Sequence, residues 1–241
     1  KIPLTSSQMS QLILLPEEKT THLNPETLQQ LFPMGHHDVN NHQVDLRTHN
    51  SWTMKLHEVP TIELAEVFTI NTIAPTILNS RLKPLMLKTK VLQSISGDNN
   101  WKFIVNVSAM EGKFYRYKSS DHPHTNMAKA ALNMMTRTSA QDYVKDNIYM
   151  TAVDTGWIND EKPIEKAMKH EEKHNFQTPL DEIDAASRVC DPVIGPLKLL
   201  QDEMKINNKS NNGDKKQKKQ EKTLIEPPWG YFIKDYMKSE W

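Results

Sequence analysis

Glycine is scarce in this chain. The sequence holds 7 glycines among 241 residues, and they are widely separated: Gly35, Gly97, Gly112, Gly156, Gly195, Gly213 and Gly230. A phosphate-binding loop needs closely spaced glycines, because several backbone N–H groups must approach one phosphate. No two of these glycines are close enough to form such a loop.

Cysteine, long apolar runs and an excess of charge are also lacking. Cys190 is the only cysteine, which excludes an intrachain disulfide and predicts the cytoplasm or another reducing intracellular compartment. No apolar run could span a bilayer, and the short LILL at 12–15 lacks the flanks of a signal peptide. Lys plus Arg and Asp plus Glu both number 30, so net charge indicates neither a nucleic acid nor a membrane partner.

Residues 1–60 are polar and interrupted by prolines, and we expect an irregular N-terminal extension or loop region. One short helix is predicted near NPETLQQLF, with Asn24 as N-cap and Pro25 at the first helical position. The first residue is Lys1 rather than Met, so we expect further sequence upstream.

Helices and strands alternate after residue 60. Thr61 is predicted to cap a long helix kinked near Pro75, and the last long helix is predicted to end at Pro192. Short apolar, β-branched runs predict buried strands. This order predicts an α/β fold in which residues 102–107, 148–153 and 229–234 form adjacent parallel strands joined by helical crossovers.

Residues 201–223 contain Asn, Lys and Gln with almost no apolar side chains. We predict a solvated, disordered insertion. A basic tract that binds a partner is the alternative, but Gln and Asp interrupt its charges.

Five short motifs carry a resemblance to a known family. They are NTIAP at 71–75, IVNVSAMEG at 104–112, TNMAKAALNMMTRTSA at 125–140, AVDTGW at 152–157 and WGYFIKDY at 229–236. Together, and in this order, they resemble an atypical subgroup of the short-chain dehydrogenase/reductase superfamily. The resemblance assigns the family's active-site Asn to Asn71, its Ser to Ser108 and its Lys to Lys129.

The resemblance implies a Rossmann-like fold and an NAD- or NADP-dependent oxidoreductase that acts on a carbonyl or alcohol substrate. It implies that residues 61–241 are the C-terminal portion of such a domain, lacking the N-terminal nucleotide-binding strands. Cofactor contacts are expected from Lys129, Asp154, Thr155 and Gly156, since ligands bind beyond the carboxyl ends of parallel strands. The Gly-rich half is either truncated, supplied by another polypeptide, or lost.

The proton donor departs from the family pattern. The family places a Tyr four residues before the Lys, where this chain has Thr125. A Thr hydroxyl is too weak an acid to replace the phenol, and we interpret Thr125 as a helix N-cap. Tyr115 and Tyr117 are the candidate substitutes, ahead of His122 and His124, unless both tyrosines are surface residues.

A zinc-protease pattern also occurs. His170, Glu171 and His174 have the required spacing, but charged residues flank them on both sides. We interpret this segment as a solvated helix and predict no metal site. His36, His37 and His42 are likewise expected in an exposed loop.

Two functions remain open from the sequence. The first is the oxidoreductase; the second is a catalytically silent, dehydrogenase-like structural or interaction subunit of a larger assembly. The family usually pairs two helices between subunits, so the resemblance implies a homo-oligomer or a larger complex. In this chain those helices are 61–88 and 125–145, and the second offers Met127, Ala131, Met134 and Met135 for packing.

Overall fold

The computed structural model describes residues 24–37, 43–89, 99–115, 117–159, 161–163, 178–210 and 225–241. Two compact units are present, one formed by Ser51–Asp160 with Gln177–Trp241 and the other by Lys1–Asn50 with Glu161–Phe176. The predicted boundary at residue 61 lies inside the first of these units, which contains all the predicted site residues.

A four-stranded sheet forms the centre of the larger unit. Its strands lie in the order β1 (Lys102–Ser108), β2 (Ile148–Asp154), β3 (Phe232–Lys234) and β4 (Met237–Ser239). β1 is parallel to β2, and β2 is parallel to β3. The predicted α/β class and the three adjacent parallel strands are confirmed, although β3 begins later than predicted.

β2 is the core of the sheet, since all 7 of its residues are buried. Side chains fully buried here include Ile148, Met150 and Val153, and Leu132 and Phe232 pack into the same core. A continuous apolar run of this kind is typical of a parallel strand that is covered on both faces.

The hairpin between β3 and β4 is antiparallel and was not predicted. The turn residues Asp235 and Tyr236 have φ of 48° and 64°, so both lie in the left-handed region. Two-residue hairpin turns need this backbone, but they usually signal it with Asn-Gly or Asp-Gly. Asp-Tyr carries no such signal, which explains the missed strand.

A nearly continuous helix precedes β1. It consists of α2 (Thr61–Phe68), a π-helical segment (Thr69–Ile73) and α3 (Ala74–Lys88). The predicted kink near Pro75 stays a prediction; the feature just before this residue is the π segment, where proline offers no N–H to the preceding turn. Thr61 is not the N-cap as predicted; that position is Pro60, and Thr61 is the first helical residue.

The helix between β1 and β2 is α4 (Pro123–Tyr143), followed by a 3₁₀ turn over Val144–Asp146. Its N-cap is His122, which has a left-handed backbone and makes no side-chain cap hydrogen bond. Thr125 lies inside the helix, so its predicted N-cap role is wrong. Pro123, which is favoured at the first helical position, sets the true start.

The last helix, α5 (Glu182–Ser210), continues through Pro192 and Pro196. The predicted end at Pro192 is therefore wrong, and the first part of the predicted disordered insertion, residues 201–210, is helical. Both proline rings are buried, so packing compensates for the backbone hydrogen bonds that they cannot make. The rest of that predicted insertion, 211–223, lies outside the described residues.

The smaller unit contains α1 (Pro25–Leu31). Asn24 accepts a hydrogen bond from the Thr27 N–H at 2.6 Å, and Pro25 is the first helical residue. The predicted cap and helix start are confirmed.

Candidate functional site

Lys129 lies in the second turn of α4 and points toward the end of β1. Its Nζ donates to the carbonyl oxygen of Val107 at 3.2 Å. Burial lowers the pKa of the Lys129 ammonium below its usual range, and the Glu111 carboxylate opposes this shift. The ammonium therefore sits in a partly desolvated position and has a backbone carbonyl as its hydrogen-bond partner.

Asn71 lies in the π-helical segment and lines the same cavity as Lys129. The cavity has a volume of about 290 Å³ and lies between the helix 61–88 and β1. The Asn71 side-chain amide donates to the carbonyl of Val67 at 3.0 Å, one helical turn back. Two of the predicted site residues, Asn71 and Lys129, are thus brought to one cavity.

Ser108 ends β1 and is only 2% exposed. Its hydroxyl donates to the side-chain oxygen of Asn133 at 2.6 Å, and the Asn133 amide donates to the Gly112 carbonyl at 3.3 Å. This buried network joins β1, the turn after it and α4. The Ser108 hydroxyl therefore bonds within the fold, and its predicted catalytic role stays a prediction.

The two candidate phenols lie elsewhere. The Tyr115 hydroxyl is 3.4 Å from Ser239 Oγ in β4, and Tyr117 is 92% exposed. The partner of the Ser108 hydroxyl is Asn133 rather than either phenol.

One candidate histidine contacts the segment that precedes α2, and the other lies against α2 itself. His122 Nδ1 lies 3.1 Å from the Trp52 carbonyl oxygen. His124 is buried, and its Nε2 lies 3.3 Å from a carboxylate oxygen of Glu63. His122 therefore links the start of α4 to the segment before α2, whereas neither ring nitrogen of the buried His124 makes a hydrogen bond.

Asp154 ends β2 directly opposite Ser108 in the register of the two strands. Its carboxylate pairs with Lys234 Nζ at 2.9 Å and accepts the Gly156 N–H at 2.8 Å. Gly156 has φ of +84°, and an added Cβ would lie 2.4 Å from Leu180 Cδ1, so only glycine fits this turn. Asp154, Thr155 and Gly156 thus follow a strand end adjacent to that of Ser108.

Sequence reasoning missed Lys113, which at 1% exposure is the largest fully buried side chain among the described residues. Its Nζ donates to Ser239 Oγ at 2.7 Å and lies over the rings of Phe232 and Tyr115. A lysine in a polar loop gives no sign of burial. Asn133 was also missed, but it lies four residues after Lys129, and this spacing places both on one face of α4.

The zinc-protease pattern at 170–174 lies outside the described residues. Within the described ranges, no group of three His, Cys, Asp or Glu side chains is arranged to hold a metal. Across those same residues, no helix is both long and apolar enough to cross a membrane.

The chain was compared with known proteins. No model of a protein family matches it. An uncharacterized protein of Acanthamoeba polyphaga mimivirus is 31% identical over 157 residues, which cover 62% of this chain and 31% of that protein. The chain therefore spans about a third of the length of this curated relative.

Several solved structures are similar to this chain. The NADPH-bound carbonyl reductase from chicken fatty liver is 22% identical, with a TM-score of 0.45 over 82% of this chain and 63% of that one. Carbonyl reductase Sniffer of D. melanogaster is 16% identical, with a TM-score of 0.46 over 76% and 58%. A short-chain dehydrogenase/reductase of unknown function from Caenorhabditis elegans, solved with cofactor, is 22% identical, with a TM-score of 0.38 over 52% and 41%.

This chain is similar to short-chain dehydrogenases/reductases. These solved structures are longer than the matched part, since the chain covers less than two thirds of each of them.

Proposed function

We propose that this chain is part of a short-chain dehydrogenase/reductase-like oxidoreductase that uses NAD or NADP to reduce a carbonyl or oxidise an alcohol. The observation that carries the proposal is the cavity shared by Asn71 and Lys129. Lys129 is partly desolvated and donates to a carbonyl, so a ligand hydroxyl could share its ammonium protons.

The fit to the cofactor is partial. A cavity of about 290 Å³ suits one end of a dinucleotide rather than the whole molecule. Lys129 would hold a ribose hydroxyl at the nicotinamide end, with Asp154, Thr155 and Gly156 beyond the neighbouring strand end. The sequence has no Gly-rich turn for the pyrophosphate, so the proposal requires those contacts from other polypeptide. When bound, the cofactor supplies the hydride chemistry.

A second candidate is the catalytically silent subunit, and specific contacts favour it. The Ser108 hydroxyl is bonded to Asn133, Lys129 is bonded to the Val107 carbonyl, and Tyr117 points into solvent. Thr125 stands where the family has its Tyr, and a chain that lacks this general acid would lose about 10²- to 10⁴-fold in rate.

The oxidoreductase requires cofactor binding, whereas the silent subunit does not, so binding is tested first. We expect calorimetry on the chain together with the polypeptide that supplies the pyrophosphate contacts to detect binding of NAD, NADH, NADP or NADPH in the millimolar range or tighter. Lys129→Ala should abolish it, while Lys145→Ala is the matched control because Lys145 is an exposed lysine of the 3₁₀ turn that follows α4.

Turnover then separates the enzyme from the silent subunit. Binding with carbonyl reduction that falls in Tyr115→Phe or Tyr117→Phe supports the oxidoreductase. Binding without turnover of any tested aldehyde or ketone supports the silent subunit. No binding of any nicotinamide cofactor at millimolar concentration contradicts the oxidoreductase and leaves the interaction role.

A further inference from the structure

The cavity between the helix 61–88 and β1 is poor in groups that can give up a proton. Among the described residues that line it, Lys129 is the only one with a titratable side chain. The other polar side chains in the lining are Asn71, Asn79 and Asn106, and a carboxamide does not act as an acid in water. A proton that is transferred from the protein inside this cavity therefore comes from Lys129.

The other candidate donors are directed elsewhere. The Ser108 hydroxyl donates to Asn133 at 2.6 Å, inside the fold. The Tyr115 hydroxyl lies 3.4 Å from Ser239 Oγ in β4, and Tyr117 is 92% exposed. Neither phenol belongs to the lining of the cavity.

The position beside Lys129 holds no acid either. Thr125 lies four residues earlier in α4, so the two side chains share one face of the helix. A Tyr at this position would stand next to the ammonium, whereas the Thr side chain is short and its hydroxyl is too weak an acid. The ammonium is therefore the nearest acid to any substrate oxygen that occupies this place.

The Lys129 ammonium has donors to spare. An ammonium carries three N–H groups, and the Val107 carbonyl accepts one of them at 3.2 Å. No other hydrogen bond of this ammonium occurs within the described part of the chain. Since the side chain is half-buried rather than enclosed, one of the two remaining N–H groups suits the ribose hydroxyl proposed above and the other a substrate oxygen.

The charges around Lys129 make it a better acid than an ordinary lysine. Burial lowers the pKa of its ammonium, while the Glu111 carboxylate opposes this shift. Glu111 lies in the turn after β1, beside Gly112, which packs on the Lys129 backbone. The same carboxylate also opposes the shift that burial causes in the pKa of Lys118. The lining residues contributed by the helix 61–88 and by β1 carry no charge.

Resting on the oxidoreductase proposed above, we infer that Lys129 itself donates the proton to the substrate carbonyl oxygen, in place of the absent phenol. As hydride from the reduced nicotinamide bonds to the carbonyl carbon, the C=O π bond opens onto oxygen. That oxygen forms an O–H bond with one Nζ proton, and the N–H bond breaks. The neutral amine then regains a proton from water, and alcohol oxidation runs the same steps in reverse.

Lys129→Arg separates proton donation from cofactor binding. The guanidinium keeps the charge and the hydrogen-bond donors, but it stays protonated and cannot act as the acid. In the same assembly as the calorimetry, we expect this variant to bind the cofactor while carbonyl reduction falls by about 10²- to 10⁴-fold. Lys145→Arg, at the exposed lysine after α4, is the matched control and should keep turnover. Tyr115→Phe and Tyr117→Phe should keep it too.

The pH profile identifies the acid. Reduction at saturating cofactor should fall as pH rises through the folded pKa of Lys129. Glu111→Gln should move this fall to lower pH, because the carboxylate that favours the charged lysine is removed. Glu66→Gln, at an exposed position on α2, should leave the profile unchanged.

A titration of the chain alone needs neither cofactor nor turnover. NMR of the chain with ¹³C-labelled lysine should show Lys129 titrating below 10.5, the ordinary lysine value, with its resonance assigned by its loss in Lys129→Arg. Glu111→Gln should lower this titration further.

The outcomes distinguish the inference from the function on which it rests. Turnover that persists in Lys129→Arg, or that Tyr115→Phe or Tyr117→Phe abolishes, overturns the inference and leaves the oxidoreductase standing. A Lys129 titration at or above 10.5 also overturns the inference alone. Absence of cofactor binding or of turnover in the parent overturns the oxidoreductase, and the proton-donor role with it.

Discussion

At the scale of single residues, the polar groups of the predicted site are satisfied mainly by the fold. Ser108 and Asn133 form a buried pair, and Lys129 bonds to a carbonyl. Buried polar groups without partners are costly, so these contacts are expected in a stable chain whether or not it is catalytic. Activity must therefore be tested separately from stability.

Lys129 should make stability depend on pH. Its pKa is lowered in the folded state, so the folded chain binds this proton more weakly than the unfolded chain does. The charged lysine therefore opposes folding below its folded pKa, and this opposition fades as pH rises from the folded pKa toward the unfolded value near 10.5. We expect Lys129→Met to raise the free energy of unfolding at pH 7, with a smaller gain at pH 10.

Urea denaturation at both pH values measures this difference. Lys145→Met is the control, because Lys145 is exposed and should show no such pH-dependent gain. A Lys129→Met variant that is less stable than the parent at pH 7 would contradict the prediction and would show that the bond to Val107 outweighs desolvation.

Gly112 allows the turn after β1 to approach α4. An added Cβ would lie 2.6 Å from Asn133 Nδ2 and 2.7 Å from the Lys129 carbonyl oxygen. Because backbone cannot move aside cheaply, we expect Gly112→Ala to cost about 1–3 kcal/mol of unfolding free energy. Gly195→Ala is the control: its Cβ would meet Asp191 at an ordinary 3.6 Å, so thermal denaturation should show little loss. Equal stability of the two variants would refute the close approach.

At the scale of elements, the sequence predicted what short-range pattern determines. β1 and β2 are apolar and β-branched, and Asn24 with Pro25 is a strong helix-start signal, so their positions could be predicted. The ends of the helices were harder to predict from the sequence. Pro192 predicts a helix end, but its ring is buried and α5 continues through it.

The site was predicted only in part for the same reason. Asn71 and Lys129 follow from motif spacing, and they do share a cavity. The bond from Ser108 to Asn133 and the burial of Lys113 depend on tertiary contacts between distant segments, including Ser239 in β4. Nothing in the local sequence encodes such contacts.

An ion pair ties the segment before α2 to the loop before α4. Lys55 Nζ bonds to the Asp121 carboxylate and, at 2.8 Å, to Ser120 Oγ. The Lys55 ammonium lowers the pKa of Asp121 below its usual value of 3.8. The stabilisation is therefore complete above pH 3.8 and is lost as pH falls through the lowered folded pKa.

We expect Asp121→Asn to cost at most about 1 kcal/mol at pH 7, since the pair is partly exposed. The difference from the parent should shrink in strong acid and in 1 M salt, which screens such pairs. A double-mutant cycle with Lys55→Met isolates the pair. A coupling energy of zero at low salt would show that the contact does not stabilise the fold.

At the scale of the whole molecule, the larger unit leaves an apolar helical surface exposed. We call this surface the helix face; its exposed side chains come from the helix 61–88 and from α4. They are Ile70, Ile73, Ile77, Leu78, Leu82, Leu85, Leu87, Met127 and Met134. Of the α4 residues predicted to pack between subunits, Met127 and Met134 are exposed, while Ala131 and Met135 are half-buried. Apolar patches of this kind on a protein surface usually mark an interface.

We therefore predict that the helix face forms a contact between two copies of the chain. Met127 and Met134 are seven residues apart and lie on one side of α4, so replacing both with Glu should place charges at the centre of the contact and prevent it. Sedimentation velocity at micromolar concentration should give a dimer or larger oligomer for the parent and a monomer for the double variant Met127→Glu with Met134→Glu.

Met237→Glu is the control, because it makes the same change from an apolar to a charged side chain at an exposed position on β4. This variant should form the same oligomer as the parent. A strictly monomeric parent at these concentrations would contradict the prediction.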